Sequence, residues 1–141
     1  MAAWVLGICF TLASSSGQAP PVFVATERFT LAWTHSIEKQ RWEEDYAVLP
    51  GSAPDQPPVL RALQARIKGS GAGMEPPPDA VLQNGWYIYT PTTTTVPELL
   101  LTRSEFTPDY DWCLARRCQP LSNVIASDAG VTRAKPCFGM Q

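Results

Sequence analysis

The fold class is decided by two neighbouring stretches that both alternate in polarity. They are FTLAWTHSI at residues 29–37 and RWEEDYAVL at residues 41–49. In the first stretch, one face collects large and mostly apolar side chains: Phe29, Leu31, Trp33, His35 and Ile37. In the second stretch, one face collects Trp42, Glu44, Tyr46 and Val48. A period of two residues is typical of a strand with one buried face. The short separation of the stretches predicts an antiparallel hairpin.

The same hairpin contains one unusual polar pair. If Ile37 faces Trp42, the antiparallel register places His35 opposite Glu44 on the apolar face. This register also pairs further large side chains: Trp33 with Tyr46, and Leu31 with Val48. A buried polar group without a partner costs about 1–3 kcal/mol, which a hydrogen-bonded imidazole and carboxylate largely avoid. The pair therefore indicates either a contact that fixes the register or part of a ligand-binding pocket.

The pair does not form a recognisable catalytic site. Ser36 adjoins His35, but neighbours in a strand point to opposite faces, which argues against a serine–histidine dyad. The chain has 1 histidine, fewer than the common catalytic zinc sites use, and we predict neither a metal nor a cofactor. Glu38, in the predicted turn, joins His35 and Glu44 as a candidate binding residue. An enzyme that uses His35 and Glu44 as an acid/base pair is the alternative hypothesis.

Composition favours a loop-rich β fold. Of the 141 residues, 14 are proline, and proline breaks helix interiors because it lacks the backbone donor. The chain is 45% hydrophobic with a net charge of -2, which excludes a disordered chain and gives no basic surface for nucleic acid. We predict an all-β domain, a small antiparallel β-sandwich or partly open barrel of about seven short strands.

Turn signals mark the remaining strands. Asn84 and Gly85 tolerate positive φ and predict a type I′ hairpin between the apolar segments on either side. A surface strand or a linker is predicted at residues 92–95, a further strand at residues 98–102 and a hairpin at residues 111–121. Residues 59–68 fit a helix as well as a strand, because their apolar positions match both periods.

A glycine-rich segment, GSGAG, occupies residues 69–73. Its backbone amides can hold an anion, which makes Gly71 and Gly73 candidate binding residues. The segment lacks the Gly-Lys-Ser/Thr ending of a phosphate loop. A tight turn whose glycines adopt positive φ is the simpler interpretation.

The amino terminus resembles a secretory leader. Residues 2–13 are an apolar run that is followed by small polar residues, and a membrane span needs about 20 apolar residues. We predict a signal peptide at residues 1–17, with an uncleaved anchor as the alternative. A single β-domain follows at residues 18–121, and a tail at residues 122–141 packs on the domain or is loosely ordered.

Cysteine usage follows from that prediction. Removal of the leader takes away Cys9 and leaves Cys113, Cys118 and Cys137, which allows one disulfide and one odd thiol. Residues that face each other across an antiparallel ladder lie about 4.5–5.5 Å apart, within the range of a disulfide. We predict that Cys113 and Cys118 staple the last hairpin, with a Cys118–Cys137 disulfide as the alternative.

Several blocks of sequence, taken in order, resemble the bacterial family called domain of unknown function 1850 (DUF1850). They are WTHSIE at residues 33–38, WEE at residues 42–44, IKGSGAGM at residues 67–74 and an ending with DWC and CQPL at residues 111–121. The likeness covers residues 28–121. It implies that residues 59–68 form a strand that leads into the glycine turn.

Members of that family are small exported proteins, often encoded beside tripartite (TRAP) transporters whose solute receptor is of the TAXI type. The resemblance implies an envelope protein that is accessory to solute uptake. We predict a periplasmic β-domain without enzymatic activity. We expect it to contact the TAXI receptor or the TRAP membrane subunits, or to hold a small solute near His35 and Glu44. Inner-membrane attachment through the amino-terminal segment is the alternative location. The tail with Cys137 and the leader without a basic residue depart from the family pattern.

Overall fold

The alternating stretches form strands in a computed structural model of the chain, which describes residues 3–13, 20–34, 40–69, 77–92 and 95–141. In chain order the described strands are β1 (Trp4–Leu12), β2 (Val22–Ala25), β3 (Arg28–Thr34), β4 (Arg41–Leu49), β5 (Val59–Lys68), β6 (Val81–Gln83), β7 (Trp86–Tyr89), β8 (Thr95–Val96), β9 (Leu99–Thr102), β10 (Asp111–Leu114), β11 (Arg117–Pro120) and β12 (Val131–Met140). A 3-10 turn at Leu121–Asn123 follows β11. The all-β prediction is confirmed.

The strands are divided between two antiparallel sheets that do not close into a barrel. The smaller sheet has the order β2-β1-β12-β9. The larger has the order β11-β10-β3-β4-β5-β7-β6, and β8 pairs with β5 beside that path. Side chains from both sheets fill the core, where Phe10 of β1 meets Trp112 of β10 edge-on with ring centroids 5.1 Å apart. The arrangement is that of a β-sandwich, whose inner faces interdigitate.

The predicted turns are confirmed within the described residues. Asn84 and Gly85 have φ of 53° and 85° and join β6 to β7. Cys113 and Cys118 form the predicted disulfide across the β10–β11 hairpin, with Cα atoms 4.0 Å apart. β5 spans residues 59–68, as the family resemblance implied.

The central β3–β4 hairpin is present, but its predicted register is wrong. Trp33 pairs with Trp42 rather than Tyr46, and Leu31 pairs with Glu44 rather than Val48. The two registers differ by an even number of residues, so both leave the same side chains facing the core. Hydrophobic alternation alone therefore could not distinguish them.

Aromatic pairing explains the observed register. Trp33 and Trp42 stack with ring centroids 6.0 Å apart, and Phe29 stacks on Tyr46 at 5.3 Å. Directly opposed aromatic pairs stabilise a sheet by about 0.2–1 kcal/mol each. The observed register makes two such pairs, whereas the predicted register makes one, Trp33 with Tyr46. The observed register sets Glu44 opposite Leu31, so the predicted placement of His35 opposite Glu44 is wrong. His35 itself lies outside the described residues.

The two ends of the chain meet in the smaller sheet. β1 pairs with β12 along its whole length, and Ile8 and Phe10 of β1 are fully buried. Cys9 forms a disulfide with Cys137 at a Cα separation of 6.0 Å. Cys137 is therefore not an odd thiol, and the alternative pairing with Cys118 is wrong. Cleavage of the predicted leader, which stays a prediction, would remove β1 from this sheet.

Candidate functional site

Three consecutive acidic residues, Glu43, Glu44 and Asp45, lie in the middle of β4. Successive side chains of a strand point to opposite faces, so Glu43 and Asp45 share one face and Glu44 takes the other. Glu44 shares its face with Tyr46, which belongs to the core cluster. Glu44 therefore lies on the inner face of the larger sheet, and its two acidic neighbours lie on the outer face.

On the outer face, arginines neutralise both carboxylates. Arg66 of β5 contacts Glu43 at 2.7 Å and Asp45 at 2.9 Å. Arg41 contacts Glu43 at 2.8 Å and Asp111 at 3.0 Å. Burial acts to raise the pKa of Glu43, but the hydrogen bonds from Arg41 and Arg66 outweigh burial and the pKa is lowered. This network ties β4, β5 and β10 together and is fully paired.

On the inner face, Glu44 has apolar neighbours on both adjacent strands. The row of paired residues across the sheet reads Trp112, Leu31, Glu44, Ala65 and Tyr89. The single polar contact described for Glu44 is with Tyr46, whose hydroxyl donates a hydrogen bond to Glu44 Oε1 at 3.0 Å. The carboxylate thus depends on one neutral donor.

Several aromatic side chains lie near this carboxylate. Trp42 and Tyr46 flank Glu44 along β4, and Trp33 lies between Trp42 and Tyr110, whose ring centroid is 5.9 Å from that of Trp33. Burial raises the pKa of Tyr89 and of Tyr110, and the negative charge of Glu44 raises each of them further. We call this group the aromatic–carboxylate site: Glu44, Trp33, Trp42, Tyr46, Tyr89 and Tyr110.

The charge of Glu44 is not compensated within the part of the chain that the structure describes. No ion pair joins it to another described residue. Burial raises the pKa of Glu44, and the hydrogen bond from Tyr46 offsets only part of that effect. Glu44, Trp33, Trp42 and Tyr110 are each half-buried, so the site is partly open to solvent.

A β-bulge adjoins the site. Asp45 pairs with Gln64 while Tyr46 pairs with Ala62, which leaves Leu63 as the extra residue of β5. A bulge bends its strand and increases the local twist, and bulges frequently occur beside functional sites. The irregularity lies next to Glu44 along β4.

Residues 29–121 match a family described as domain of unknown function (DUF1850). The chain belongs to the DUF1850 family. The matched region begins in β3 and ends just after β11, so it contains the complete aromatic–carboxylate site and the Cys113–Cys118 disulfide. Neither the curated proteins nor the solved structures include a match to the chain.

The structure describes only one of the five binding residues that were predicted from the sequence. Glu44 is described and lies at the centre of the site. His35, Glu38, Gly71 and Gly73 lie outside the described residues. Tyr89 and Tyr110 were not predicted as site residues. They come from distant segments of the chain, which only the strand order brings together.

A cavity of about 490 Å³ lies on the outer face of the DUF1850 region. It is lined by the charged network, by Thr30 and Gln64, and by the hairpin residues Cys113, Arg116 and Cys118. The Thr30 hydroxyl donates a hydrogen bond to Asp45 Oδ1 at 2.6 Å. The carboxylates that line this cavity already have arginine or hydroxyl partners, so its chemistry is that of a structural network.

Metal ligation has no support in the described residues. They contain no group of three or more His, Cys, Asp or Glu side chains placed to hold a metal. Asp109, an acidic residue of the loop before β10, is bound by the fully buried Arg103 at 2.7 Å, and Asp111 is bound by Arg41. Among these same residues, no helix is long and apolar enough to span a bilayer.

Proposed function

We propose that this DUF1850 protein is an exported accessory component of a TAXI-type TRAP solute-uptake system, with a binding role. The observation that carries the binding role is the half-buried Glu44 carboxylate, which has no described counter-cation and lies among aromatic rings. Charges removed from water are normally paired, because burying them alone is costly. A half-buried carboxylate with one neutral donor therefore supports a binding role.

Export is proposed from the cysteine chemistry. Both disulfides, Cys9–Cys137 and Cys113–Cys118, belong to the folded domain. Disulfides form and persist in oxidising compartments and are rare in the reducing cytosol. The proposed location is the periplasm, with attachment to the inner membrane through the amino-terminal segment as the alternative.

The proposed partners follow from the family resemblance. The chain contacts the TAXI receptor or the TRAP membrane subunits, or it holds a small solute at Glu44. No covalent step is required, since binding and release suffice for an accessory of uptake.

Solute uptake by the native host tests this proposal. Cells that lack the chain are expected to lose uptake of the transported solute, and wild type and Glu27→Gln are expected to restore it. Glu44→Gln is expected not to restore it. Glu27 is a matched control because it is exposed and precedes β3 at the end remote from Trp33. Uptake that is independent of the chain would contradict the transport role.

Affinity capture supplies the partner test. The tagged chain, purified from the native envelope after mild cross-linking, is expected to bring down the TAXI receptor or a TRAP membrane subunit, identified by mass spectrometry. Capture without any subunit of the transporter would contradict the proposed partnership.

One observation favours a second candidate function. The raised pKa of Glu44 suits a carboxylic general acid, and an enzyme using His35 and Glu44 as an acid/base pair would exploit it. Incubation of the transported solute with purified protein separates the two functions. A solute recovered unchanged supports binding, whereas a product that disappears with Glu44→Gln supports an enzyme.

A further inference from the structure

We propose that the aromatic–carboxylate site binds an organic ammonium cation. This inference names the ligand class of the binding role proposed above and rests on that role. Three observations support it: the contacts of Glu44, the positions of the nearby aromatic rings, and the existing contacts of the nearby cationic side chains.

The sign of the ligand charge follows from Glu44. The neighbouring Glu43 and Asp45 each have an arginine partner, whereas Glu44 accepts one hydrogen bond, from the neutral Tyr46 hydroxyl. An anionic ligand would meet like charge at this position. A neutral ligand would leave the carboxylate without a counter-charge. A cation supplies the missing partner.

The cationic side chains described nearby are held elsewhere. Arg41 and Arg66 lie on the outer face in ion pairs, and Lys68 lies over the Trp86 ring at 5.1 Å. Arg103 is fully buried, where it binds Asp109, the Ile125 carbonyl and Thr132. Freeing any of these groups would break an existing contact.

The nearby aromatic rings favour an organic cation over a metal ion. Calcium or magnesium needs several oxygen ligands, whereas the described site provides a single carboxylate and tyrosine hydroxyls. The faces of tryptophan and tyrosine rings attract ammonium groups through their quadrupoles, and tryptophan does so most strongly. Trp33 and Trp42 are half-buried and stack on each other, with Tyr110 beside Trp33.

Calorimetric titration of the full chain with choline and with ethanolamine tests the inference. Choline presents a methylated ammonium group and ethanolamine a primary one. The neutral carbon isostere of choline, 3,3-dimethyl-1-butanol, controls for apolar binding. We expect at least one of the two cations to bind the wild-type protein. If choline binds, the neutral isostere should bind at least tenfold more weakly than choline.

Two variants locate the binding. Glu44→Gln keeps the shape of the side chain and removes its charge, and we expect it to weaken cation binding at least tenfold. Glu27→Gln makes the same change in net charge at an exposed position and is expected to bind as wild type does. Near-UV circular dichroism confirms that each variant keeps its aromatic packing.

Trp33→Leu provides an independent test that remains informative if Glu44→Gln does not fold. It keeps an apolar side chain but removes the π face, so choline binding is expected to fall severalfold while binding of the neutral isostere changes little. Absence of binding by both cations at millimolar concentration would overturn the inference. Cation binding that survives both Glu44→Gln and Trp33→Leu would overturn it as well, and so would equal binding of choline and its isostere.

The outcomes separate this inference from the proposed transport role. Cation binding lost in Glu44→Gln, together with solute uptake that does not depend on the chain, would support the inference and contradict the transport role. Uptake that requires the chain, together with no binding of either cation, would support the transport role and contradict the inference.

Discussion

Trp33 of β3 stacks on Trp42 of β4, with ring centroids 6.0 Å apart and ring planes inclined by only 12°. The two residues are directly opposed in the antiparallel ladder, and their pairing belongs to the register that sets Glu44 opposite Leu31. We expect the rings to stabilise each other beyond the area they bury. In a double-mutant cycle with Trp33→Ala and Trp42→Ala, the coupling free energy should be about 0.5–1.5 kcal/mol.

Chemical denaturation of the four proteins in that cycle measures the coupling. Strictly additive losses would contradict the stacked pair and, with it, the role of the rings in setting the register.

Glu44 should lower stability at neutral pH. Burial raises its pKa in the folded state, so the folded protein holds this proton more tightly than the unfolded chain does. Protonation of Glu44 therefore stabilises the folded protein. This stabilisation is fully present below the usual carboxyl pKa of 4.5 and is lost as pH rises through the raised pKa of the folded state. Glu44→Gln should therefore have a higher thermal midpoint than wild type at pH 7.

The difference in midpoint between Glu44→Gln and wild type should shrink as pH falls below 4.5. Glu27→Gln serves as the control, because Glu27 is exposed. A Glu44→Gln variant that is less stable than wild type at pH 7 would show that the carboxylate has a favourable partner in the folded chain.

The turn of the disulfide-stapled hairpin offers a stabilising substitution. Ala115 and Arg116 adopt φ of 50° and 69°, values that suit glycine or asparagine in a two-residue hairpin turn. A residue other than glycine in this region costs about 1 kcal/mol. Arg116→Gly should therefore stabilise the domain by about 1 kcal/mol in chemical denaturation. A loss of stability would indicate that the Arg116 side chain makes a compensating contact in the outer-face cavity.

The Cys9–Cys137 disulfide joins the two ends of the chain with a sequence separation of 128. In the chain-entropy model a loop of this size stabilises by about 4–5 kcal/mol. The double variant Cys9→Ser, Cys137→Ser of the full chain should lose stability of that order, while the Cys113–Cys118 link survives in non-reducing peptide maps.

Those peptide maps also test the predicted leader. Exported protein that begins between about Ser16 and Gln18 and carries a free Cys137 would support cleavage. Exported protein that retains the Cys9–Cys137 link would contradict cleavage at that position.

Local patterns predicted most of the larger sheet. Strict alternation indicated β3 and β4, the Asn84-Gly85 pair indicated the β6–β7 hairpin, and the cysteine spacing indicated the β10–β11 disulfide. These features depend on residues close together in the chain, where sequence spacing and turn chemistry suffice.

Other features depended on distant contacts. An apolar run such as residues 4–12 suits a leader as well as a buried strand, so its pairing with β12 could not be predicted from the run itself. The register of β3 on β4 needed the Trp33–Trp42 stack, because an even slip preserves the alternation. Tyr89 reaches the site because β7 lies beside β5, an arrangement that no local pattern encodes.

The titration of the Glu44 side-chain carboxyl, followed by NMR of carbon-13-labelled glutamate, tests the central claim most directly. Without ligand, the pKa of Glu44 should lie above the usual value of 4.5, since burial opposes the charged form. Saturating choline or ethanolamine should lower that pKa, because a bound cation favours the carboxylate. A Glu44 titration that neither cation alters would contradict the account.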